Sequence, residues 1–422
     1  MESYYFIIGA SLIVVFSYLI NIISDKTNIP SVLMLIVLGV LIKEGLLLAG
    51  IEFSSVQQYL AVLGTVGLIL IVLEAALDLE LRKDRIGIIF RSFFSALIGV
   101  AGTAYLLALI LQTFIDIDLF RALLFAVPIS ILSSAIIIPS VKSLPEEKKE
   151  FLIYESTFSD ILGLMFFYFL LSSVEMNSLS EMGMSVGLNV VVTIILSFVI
   201  TYFLIIIFQN IKTEVKLFLL IAVLVLMYAI GKIFHISSLL MILIFGLVIN
   251  NSKIFFKGFL RKYLKYDDLQ NILHHFKIIT LESAFVVRTF FFIIFGISIS
   301  LMSLVNFKVW IISIVVLAGI YLIRYLLMLV FVGKHSLTET FIAPRGLISI
   351  LLFFAIPQEY LVKDFDDGIL LFVIIVSGVL MTWSLIKYKK NEEIEADLAK
   401  IEEEHCETNS GNTDSTDSTV IE

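Results

Sequence analysis

The chain has 422 residues, of which 59% are hydrophobic and only 16% are charged, and its mean hydropathy is +1.05. Globular proteins average roughly 45–50% apolar and about 25% charged residues, so this composition excludes a soluble globular domain and predicts a polytopic membrane protein. The single cysteine, Cys406, excludes a disulfide framework and a cysteine-based metal site. The formal net charge of −8 owes much to an acidic C-terminal stretch and says little about the membrane part.

Thirteen hydrophobic runs follow one another along the chain, and most approach the ~20 residues that a helix needs to cross a bilayer. The first run lacks a basic leading region and a small-residue cleavage site, so it predicts a transmembrane helix and not a cleaved signal. The pattern predicts an all-α fold with about 13 transmembrane helices. The runs lie at about 4–23, 31–50, 59–79, 92–113, 120–140, 151–173, 185–208, 216–233, 236–250, 281–303, 308–332, 338–357 and 367–387.

Basic residues are distributed unevenly between the loops that join these runs. Loops after odd-numbered runs hold seventeen lysine and arginine residues, whereas loops after even-numbered runs hold only Arg121, Lys232, Lys308 and Lys363. Because basic loops stay on the cytoplasmic side, the N-terminus is predicted outside and the C-terminus in the cytoplasm.

Two segments lie apart from the hydrophobic runs. Residues 252–278 mix lysine with Phe, Leu and Tyr and predict an amphipathic linker helix along the cytoplasmic face. Residues 391–422 are rich in Glu, Ser, Thr, Asn and Asp and predict a disordered acidic tail. The transmembrane domain is therefore expected over residues 1–390.

Two of the runs contain residues that interrupt helices. The fifth run has Pro128 and Pro139 on either side of Ser133 and Ser134, and the twelfth run contains Pro344. Proline removes a backbone donor and serine loosens the turn, so both runs are candidates for interrupted helices. They lie seven runs apart and therefore cross the membrane in opposite directions. Paired broken helices of this kind indicate a transporter built from inverted repeats, with its site between them.

Ionisable residues inside the runs are few, and Glu155 and Asp160 share the sixth run. An ionised side chain at such a depth costs at least ~2.5–3.5 kcal/mol, and membrane proteins usually keep these groups to carry protons or cations. Five helical residues turn the chain by about 140°, so the two carboxylates face different ways and are expected to have different roles. A proton and a monovalent cation compete for one carboxylate, which makes Asp160 the candidate ion site. The alternative is a permanently paired carboxylate.

Hydroxyl and carbonyl oxygens near Asp160 are candidate ligands for the cation. Ser156 and Ser159 precede Asp160 by four residues and by one residue, while Ser133 and Ser134 lie at the break in the fifth run. The alternative for the serines beside Asp160 is a hydrogen bond to a carbonyl of their own helix, as is common in membrane helices.

Arginines inside the runs predict ion pairs. Arg324 in the eleventh run has Glu155 as its leading partner, and a buried pair left half-made costs ~3–5 kcal/mol. Arg345 in the twelfth run needs an acceptor, for which Glu74 and carbonyls freed at the break are candidates. The partner of Arg288 in the tenth run is not evident from the sequence.

Four motifs resemble those of monovalent cation/proton antiporters. Residues 155–160, E-S-T-F-S-D, are similar to the E-S-x-x-N-D motif of the sodium/proton exchanger branch, and residues 344–348 to its G-L-R-G-A element. Residues 73–79 resemble its F-E-G-G-L-x-L-D stretch, and residues 290–298 its F-F-F-x-x-x-G-x element. The matches occur in the family's order, and the resemblance covers residues 1–390.

The resemblance implies an inverted repeat with two crossing broken helices, a moving core domain and a dimerisation domain. It implies that Asp160 carries the ion and the proton, and that Glu155 pairs with Arg324. The implied protein is a homodimeric secondary Na⁺(Li⁺)/H⁺ antiporter of a bacterial plasma membrane, working by alternating access. Its partners would be the lipid bilayer, monovalent cations and protons, with no cofactor and no nucleic acid.

The chain departs from the exchanger motifs at two places. Ser159 replaces the asparagine of the N-D pair, and Ser133 and Ser134 stand where exchangers have Asp-Pro. The paired serines look more like the branch that contains potassium efflux systems. One titratable carboxylate at the core favours electroneutral 1:1 exchange. Because the motifs resemble two branches of the family, the choice between Na⁺ and K⁺ as the transported ion stays open.

Three alternatives differ from Na⁺/H⁺ exchange. A K⁺/H⁺ antiporter would share the fold. A cation channel is disfavoured because the chain has no repeated carbonyl-filter sequence. An enzyme is disfavoured because the five histidines lie at run ends, in loops or in the tail, and form no H-E-x-x-H motif.

Overall fold

The computed structural model describes most of the chain, and every regular element among the described residues is helical. The described residues are 2–27, 30–48, 56–81, 83–141, 144–173, 179–210, 216–233, 238–256, 266–298, 306–333, 336–362 and 365–411. The helices are α1 (Glu2–Thr27), α2 (Ser31–Leu48), α3 (Val56–Asp78), α4 (Ile86–Phe114), α5 (Leu119–Ser130), α6 (Ser134–Ser140), α7 (Glu146–Ser173), α8 (Leu179–Asn210), α9 (Lys216–Ile233), α10 (Ser238–Asn250), α11 (Ser252–Phe255), α12 (Tyr266–Ser298), α13 (Phe307–Phe331), α14 (Leu337–Phe341), α15 (Leu347–Phe354) and α16 (Gly368–Gly411).

Each hydrophobic run of the sequence coincides with a helix, except that the fifth and twelfth coincide with two short helices each. Within the described ranges, six helical segments are long and apolar enough to cross a membrane. They are Ser31–Leu48, Ile86–Phe114, Leu119–Ser140, Leu273–Ser298, Phe307–Phe331 and Gly368–Lys390. The predicted all-α, multi-pass membrane architecture is therefore confirmed.

The outer surface of the helices is apolar, as a lipid-facing surface should be. Large hydrophobic side chains such as Val37, Phe90, Val199, Leu322 and Val330 are exposed. A soluble protein rarely exposes contiguous apolar patches of this kind, whereas lipid tails cover them without cost.

Both interrupted helices break where the proline-containing runs predict. The helix α5 ends at Ser130, two residues after Pro128, and α6 begins at Ser134. Pro139 lies near the end of α6. The second interruption separates α14 from α15 and contains Pro344. We call residues 131–133 the first break and residues 342–346 the second break.

The helices around the two breaks pack into one group. The helix α4 contacts α5, α7 and α13, and α13 in turn contacts α14 and α16. The short helix α15 lies against α5, α3 and α7. This packing brings the second break, which is distant in sequence, next to α5, α6 and α7.

A second group is built on α12, which contacts α2 and α3 along much of its length. At the crossing of α2 and α12, Gly39 faces Gly296, and a Cβ atom added to either glycine would lie 3.0 Å from the Cα of the other. Because nothing larger than hydrogen fits there, the two backbones are in direct contact. No motif of the sequence predicted this crossing.

The predicted linker helix at 252–278 coincides in part with two helices of the structure. Residues 266–278 form the first part of α12, which continues without interruption into the tenth hydrophobic run. The short helix α11 covers Ser252–Phe255, and residues 257–265 lie outside the described residues. The continuity follows from the sequence between Tyr266 and Ser298, which contains neither proline nor an internal glycine before Gly296 to interrupt the helix.

The predicted acidic tail, residues 391–422, begins within the last helix. The helix α16 continues to Gly411, and residues 412–422 lie outside the described residues. Glutamate, lysine, alanine and leucine dominate residues 391–404, and these are among the strongest helix formers. Their intrinsic propensity extends the last membrane helix beyond its apolar part.

Candidate functional site

The two breaks touch each other in the middle of the first helix group. The backbone N–H of Ser133 donates a hydrogen bond of 3.0 Å to the carbonyl of Pro344. Gly346 lies directly against Ser133, because a Cβ atom at Gly346 would lie 2.9 Å from the Ser133 Cβ. Both breaks have free backbone groups because neither continues its helix, and each satisfies one group of the other.

Asp160 lies on α7 beside the first break, and only 2% of it is exposed. Its Oδ2 atom accepts hydrogen bonds from the backbone N–H of Ser134, at 3.2 Å, and from the Ser134 hydroxyl. Its Oδ1 atom is buried and has no hydrogen-bond partner in the part of the chain that the structure describes. One side of this carboxylate is therefore anchored, and the other side has the capacity to bind a proton or a cation.

The other predicted serine ligands have separate contacts. The Ser159 hydroxyl accepts a hydrogen bond of 3.0 Å from the backbone N–H of Leu132 in the first break. The Ser156 hydroxyl donates to the carbonyl of Ile153 in its own helix, at 3.1 Å. The structure thus brings Ser134 into direct contact with Asp160, uses Ser159 to hold the break, and gives Ser156 a partner within its own helix.

Glu155 and Arg324 form an ion pair in the same helix group. The Nη1 atom of Arg324 lies 2.5 Å from Oε1 of Glu155, and the Ser95 hydroxyl of α4 donates to the same oxygen at 2.5 Å. Both charged residues are almost fully buried. The Nη2 atom of Arg324 also donates to the carbonyls of Glu339 and Ile342, both at 3.3 Å, so the pair connects α7 to α14 and the second break.

Arg345 binds a freed carbonyl, and Glu74 binds a different arginine. The Nη1 atom of Arg345 donates to the carbonyl of Ala343 at 3.2 Å, and no carboxylate among the described residues lies within ion-pair distance of Arg345. Glu74 on α3 forms its ion pair with Arg288 on α12. The candidate pair of Glu74 with Arg345 is therefore wrong, because the packing of α3 on α12 gives Glu74 a nearer partner.

A small cavity of about 20 Å³ lies between α4, α5, α7 and α13. A cavity of this size has room for roughly one water molecule. Leu132 of the first break and Arg345 of the second break both line it. Its other polar lining residues include Ser95, Ser130, Glu155, Ser159 and Arg324. The cavity therefore places the ion pair and the two breaks around one common space.

Sequence reasoning missed three residues of this network. Glu339 on α14 is fully buried, and its Oε1 lies 2.6 Å from Nζ of Lys148 on α7. The signal was present, because Glu339 lies inside the twelfth hydrophobic run. Ser95 carried a weaker signal, as one of several small polar residues in the otherwise apolar α4.

The fold and the site define a class of membrane protein. Helices that cross a bilayer, with two interrupted helices meeting at a buried carboxylate, are the architecture of secondary transporters. A family model described as sodium/hydrogen exchanger, transmembrane, matches residues 11–387. The chain belongs to the sodium/hydrogen exchanger family, as its motifs predicted.

Solved structures with this fold support the assignment. The structure of the sodium proton antiporter MjNhaP1 from Methanocaldococcus jannaschii at pH 8 has a TM-score of 0.67 and 22% identity, covering 92% of this chain and 99% of that chain. A second MjNhaP1 structure, from electron microscopy, has a TM-score of 0.64 and 22% identity, covering 92% of this chain and 95% of that chain. At this identity the likeness concerns the fold. No curated protein sequence gives a significant match to the chain.

Proposed function

We propose that the protein is a secondary active Na⁺(Li⁺)/H⁺ antiporter that binds its cation and its proton alternately at Asp160. The observation that carries the proposal is the state of this carboxylate, which is buried between the two breaks with one oxygen anchored by Ser134 and the other unpartnered among the described residues. An ionised carboxylate in such a place is unfavourable unless a charge neutralises it. A proton and a monovalent cation both do so, and each excludes the other.

The buried charges support electroneutral 1:1 exchange. Glu155 and Arg324 neutralise each other, and they leave Asp160 as the carboxylate that takes either one proton or one cation. The site therefore carries the same net charge in its two loaded forms. Exchange of one cation for one proton moves no net charge across the membrane.

Alternating access follows from the position of the site. Asp160 lies where the two breaks meet, and a rocking motion of the group formed by α4–α7 and α13–α16 would expose it to each side in turn. This group is the proposed core domain of an inverted repeat. The family resemblance also implies a dimerisation domain, and the second subunit would be another copy of this chain.

A K⁺/H⁺ antiporter of the same fold is the second candidate. Ser133 and Ser134 stand where exchangers have Asp-Pro, and Ser134 is the residue that contacts Asp160. A hydroxyl in place of a carboxylate gives the site fewer negative charges, which changes the competition between a small cation and a larger one. The choice between Na⁺ and K⁺ therefore depends on measurement.

The test is cation-driven proton movement in proteoliposomes that enclose a pH-sensitive dye. Addition of Na⁺, Li⁺ or K⁺ to the wild type is expected to collapse an imposed pH gradient, and the most effective ion identifies the substrate. Asp160→Asn is expected to abolish the response, whereas Ser156→Ala is the matched control from the same helix. Transport by Asp160→Asn at the wild-type rate would refute the proposal.

Two further measurements test stoichiometry and class. A membrane potential set with an ionophore is expected to leave the exchange rate unchanged if the exchange is 1:1. Currents far above exchange rates that persist without a pH gradient would instead indicate a channel.

The proposed location is a bacterial plasma membrane, with the N-terminus outside and the C-terminus in the cytoplasm. The excess of basic residues in the loops after odd-numbered runs supports this orientation. Cys406 is the only cysteine of the chain and provides a natural label for the test. A membrane-impermeant maleimide is expected to label it in inverted vesicles and not in intact cells; the opposite pattern would contradict the orientation.

A further inference from the structure

The five-residue helix α14 depends on its neighbours for its position. A single short helix of this length is not stable by itself, because nucleation is unfavourable and few hydrogen bonds follow it. Ser384 of α16 donates to the carbonyl of Thr338 at 3.3 Å, and the Phe341 ring contacts the rings of Tyr321 and Trp383. These contacts hold α14 on the side of α13 and α16.

On the side of α7, the contact of α14 is a charge pair. Nζ of Lys148, in the first turn of α7, lies 2.6 Å from Oε1 of Glu339. The Glu339 side chain is 1% exposed and the Lys148 side chain 33%. A carboxylate buried this deeply is unfavourable without a counter-charge, and within the described residues Lys148 is the cation within ion-pair distance.

The other charges at this end of α7 have partners elsewhere. Glu147 pairs with Arg91 at 3.4 Å, and Lys149 pairs with Glu146 at 3.1 Å on the surface of the same helix. Lys148 and Lys149 are similarly exposed, at 33% and 31%. The chain therefore provides two neighbouring lysines, of which only Lys148 contacts a buried carboxylate.

The pair of Lys148 with Glu339 and the pair of Glu155 with Arg324 both link α7 to α14. Lys148 and Glu155 are seven residues apart on α7, so they face nearly the same direction. Glu339 receives Lys148 at its side chain and Arg324 at its carbonyl. Two ion pairs from one face of α7 therefore converge on the same residue of α14.

We propose that Lys148 and Glu339 are positioning residues for the exchange reaction: their ion pair holds α14 against α7 and thereby sets the position of the second break. The inference rests on the proposed function. The second break begins directly after α14, and its Pro344 carbonyl binds the N–H of Ser133. The next residue, Ser134, binds Asp160, so a displacement of α14 reaches the ion site through a short series of contacts.

The test uses Lys148→Met, Glu339→Gln and the charge swap Lys148→Glu/Glu339→Lys in the full-length protein, reconstituted in proteoliposomes. Each single variant is expected to raise the apparent KM for the transported cation by about tenfold, and the swap is expected to recover most of this loss, as for directly coupled residues. Lys149→Met is the matched control and is expected to keep the wild-type KM.

The double variant Lys148→Met/Glu339→Gln separates positioning from stability. It leaves no uncompensated buried charge, so its Tm is expected to stay close to the wild type, whereas Lys148→Met alone, which leaves the buried Glu339 carboxylate unpaired, lowers the Tm by roughly 3–6 °C. Its KM is nevertheless expected to stay raised, because the contact of Lys148 with Glu339 is then missing and only the Arg324 link joins α14 to α7. This variant also serves if the single variants fail to fold.

Two results would overturn the inference. One is a folded double variant with the wild-type KM, and the other is a charge swap with a KM no better than that of the single variants. Failure of the proposed function is distinct from either, because the wild type itself would then move no protons in response to Na⁺, Li⁺ or K⁺.

Discussion

The backbone groups of the two breaks have different hydrogen-bond partners. In the first break, N–H groups are bound by oxygens from α7, with Ser159 accepting from Leu132 and Asp160 accepting from Ser134. In the second break, carbonyls are bound by guanidinium groups, which donate to Ile342 and Ala343. The second break also uses an acceptor, because the N–H of Arg345 donates to the Ser377 hydroxyl, but among the described residues only the second break has cations on its carbonyls.

Because of this difference, protonation is expected to affect the contacts of the two breaks differently. Arginine stays charged at every working pH, so the contacts of the second break do not depend on protonation. Under the proposed function, the charge state of Asp160 changes when a proton or a cation binds, and the N–H of Ser134 contacts Asp160. The first break is then the one whose geometry is expected to change with the bound ion, while the contacts of the second break stay constant.

Removing Arg324, the guanidinium that binds the Ile342 carbonyl of the second break, is expected to have the largest effect. Arg324→Met leaves Glu155 buried without its partner, and the free energy of unfolding should fall by ~3–5 kcal/mol. Thermal melting of the purified protein measures this loss, and the swap Glu155→Arg/Arg324→Glu should recover part of it. Arg121→Met, which breaks an exposed pair with Asp118, should change stability by at most ~1 kcal/mol. Equal melting of the two arginine variants would contradict the comparison.

Crowding the contact between the breaks is expected to have the next largest effect. Gly346→Ala places a Cβ atom against Ser133 and 3.0 Å from Cδ1 of Ile136, and overpacking of this kind costs about 1–3 kcal/mol. Ser133→Gly in the same chain should relieve part of the strain. Gly102→Ala in α4 is the control, because a Cβ atom there meets nothing within 4 Å. If both alanine variants melt at the wild-type temperature, the breaks are not in contact as described.

Removing an acceptor of the first break is expected to have a moderate effect. Ser159→Ala leaves the buried N–H of Leu132 without a partner, and such a loss costs ~1–3 kcal/mol. Because the first break lies beside Asp160, the apparent KM for the cation should rise as well. Cation titrations of proton movement, together with melting curves, measure both effects; a change in neither would remove Ser159 from the support of the break.

The smallest effect is expected for Ser156→Ala. The Ser156 hydroxyl binds the carbonyl of Ile153 in its own helix, and that carbonyl retains its place in the helix when the hydroxyl is removed. Stability should change by no more than about 0.5 kcal/mol, and the KM should stay at the wild-type value. A KM that rises as much as in Ser159→Ala would mean that Ser156 binds the cation directly.

The sequence predicted the two breaks and the pair of Glu155 with Arg324, because the residue types on which both predictions depend are few in the apolar runs. Few prolines lie in the apolar runs of this chain, so Pro128, Pro139 and Pro344 pointed to the breaks. Few ionisable residues lie in these runs, so Arg324 had few possible partners. The distinction between Ser156 and Ser159 was not predictable, since it depends on where α5 ends relative to α7. The pairing of Glu74 with Arg288 depends equally on the packing of α3 against α12, which no local pattern encodes.

The contact of Gly39 with Gly296 has a consequence for the route of the ion. Where two helix backbones touch, neither a hydrated cation nor an acyl chain passes between them. Water and ions therefore cannot pass between α2 and α12 at this crossing, and any water path to Asp160 runs between other helices.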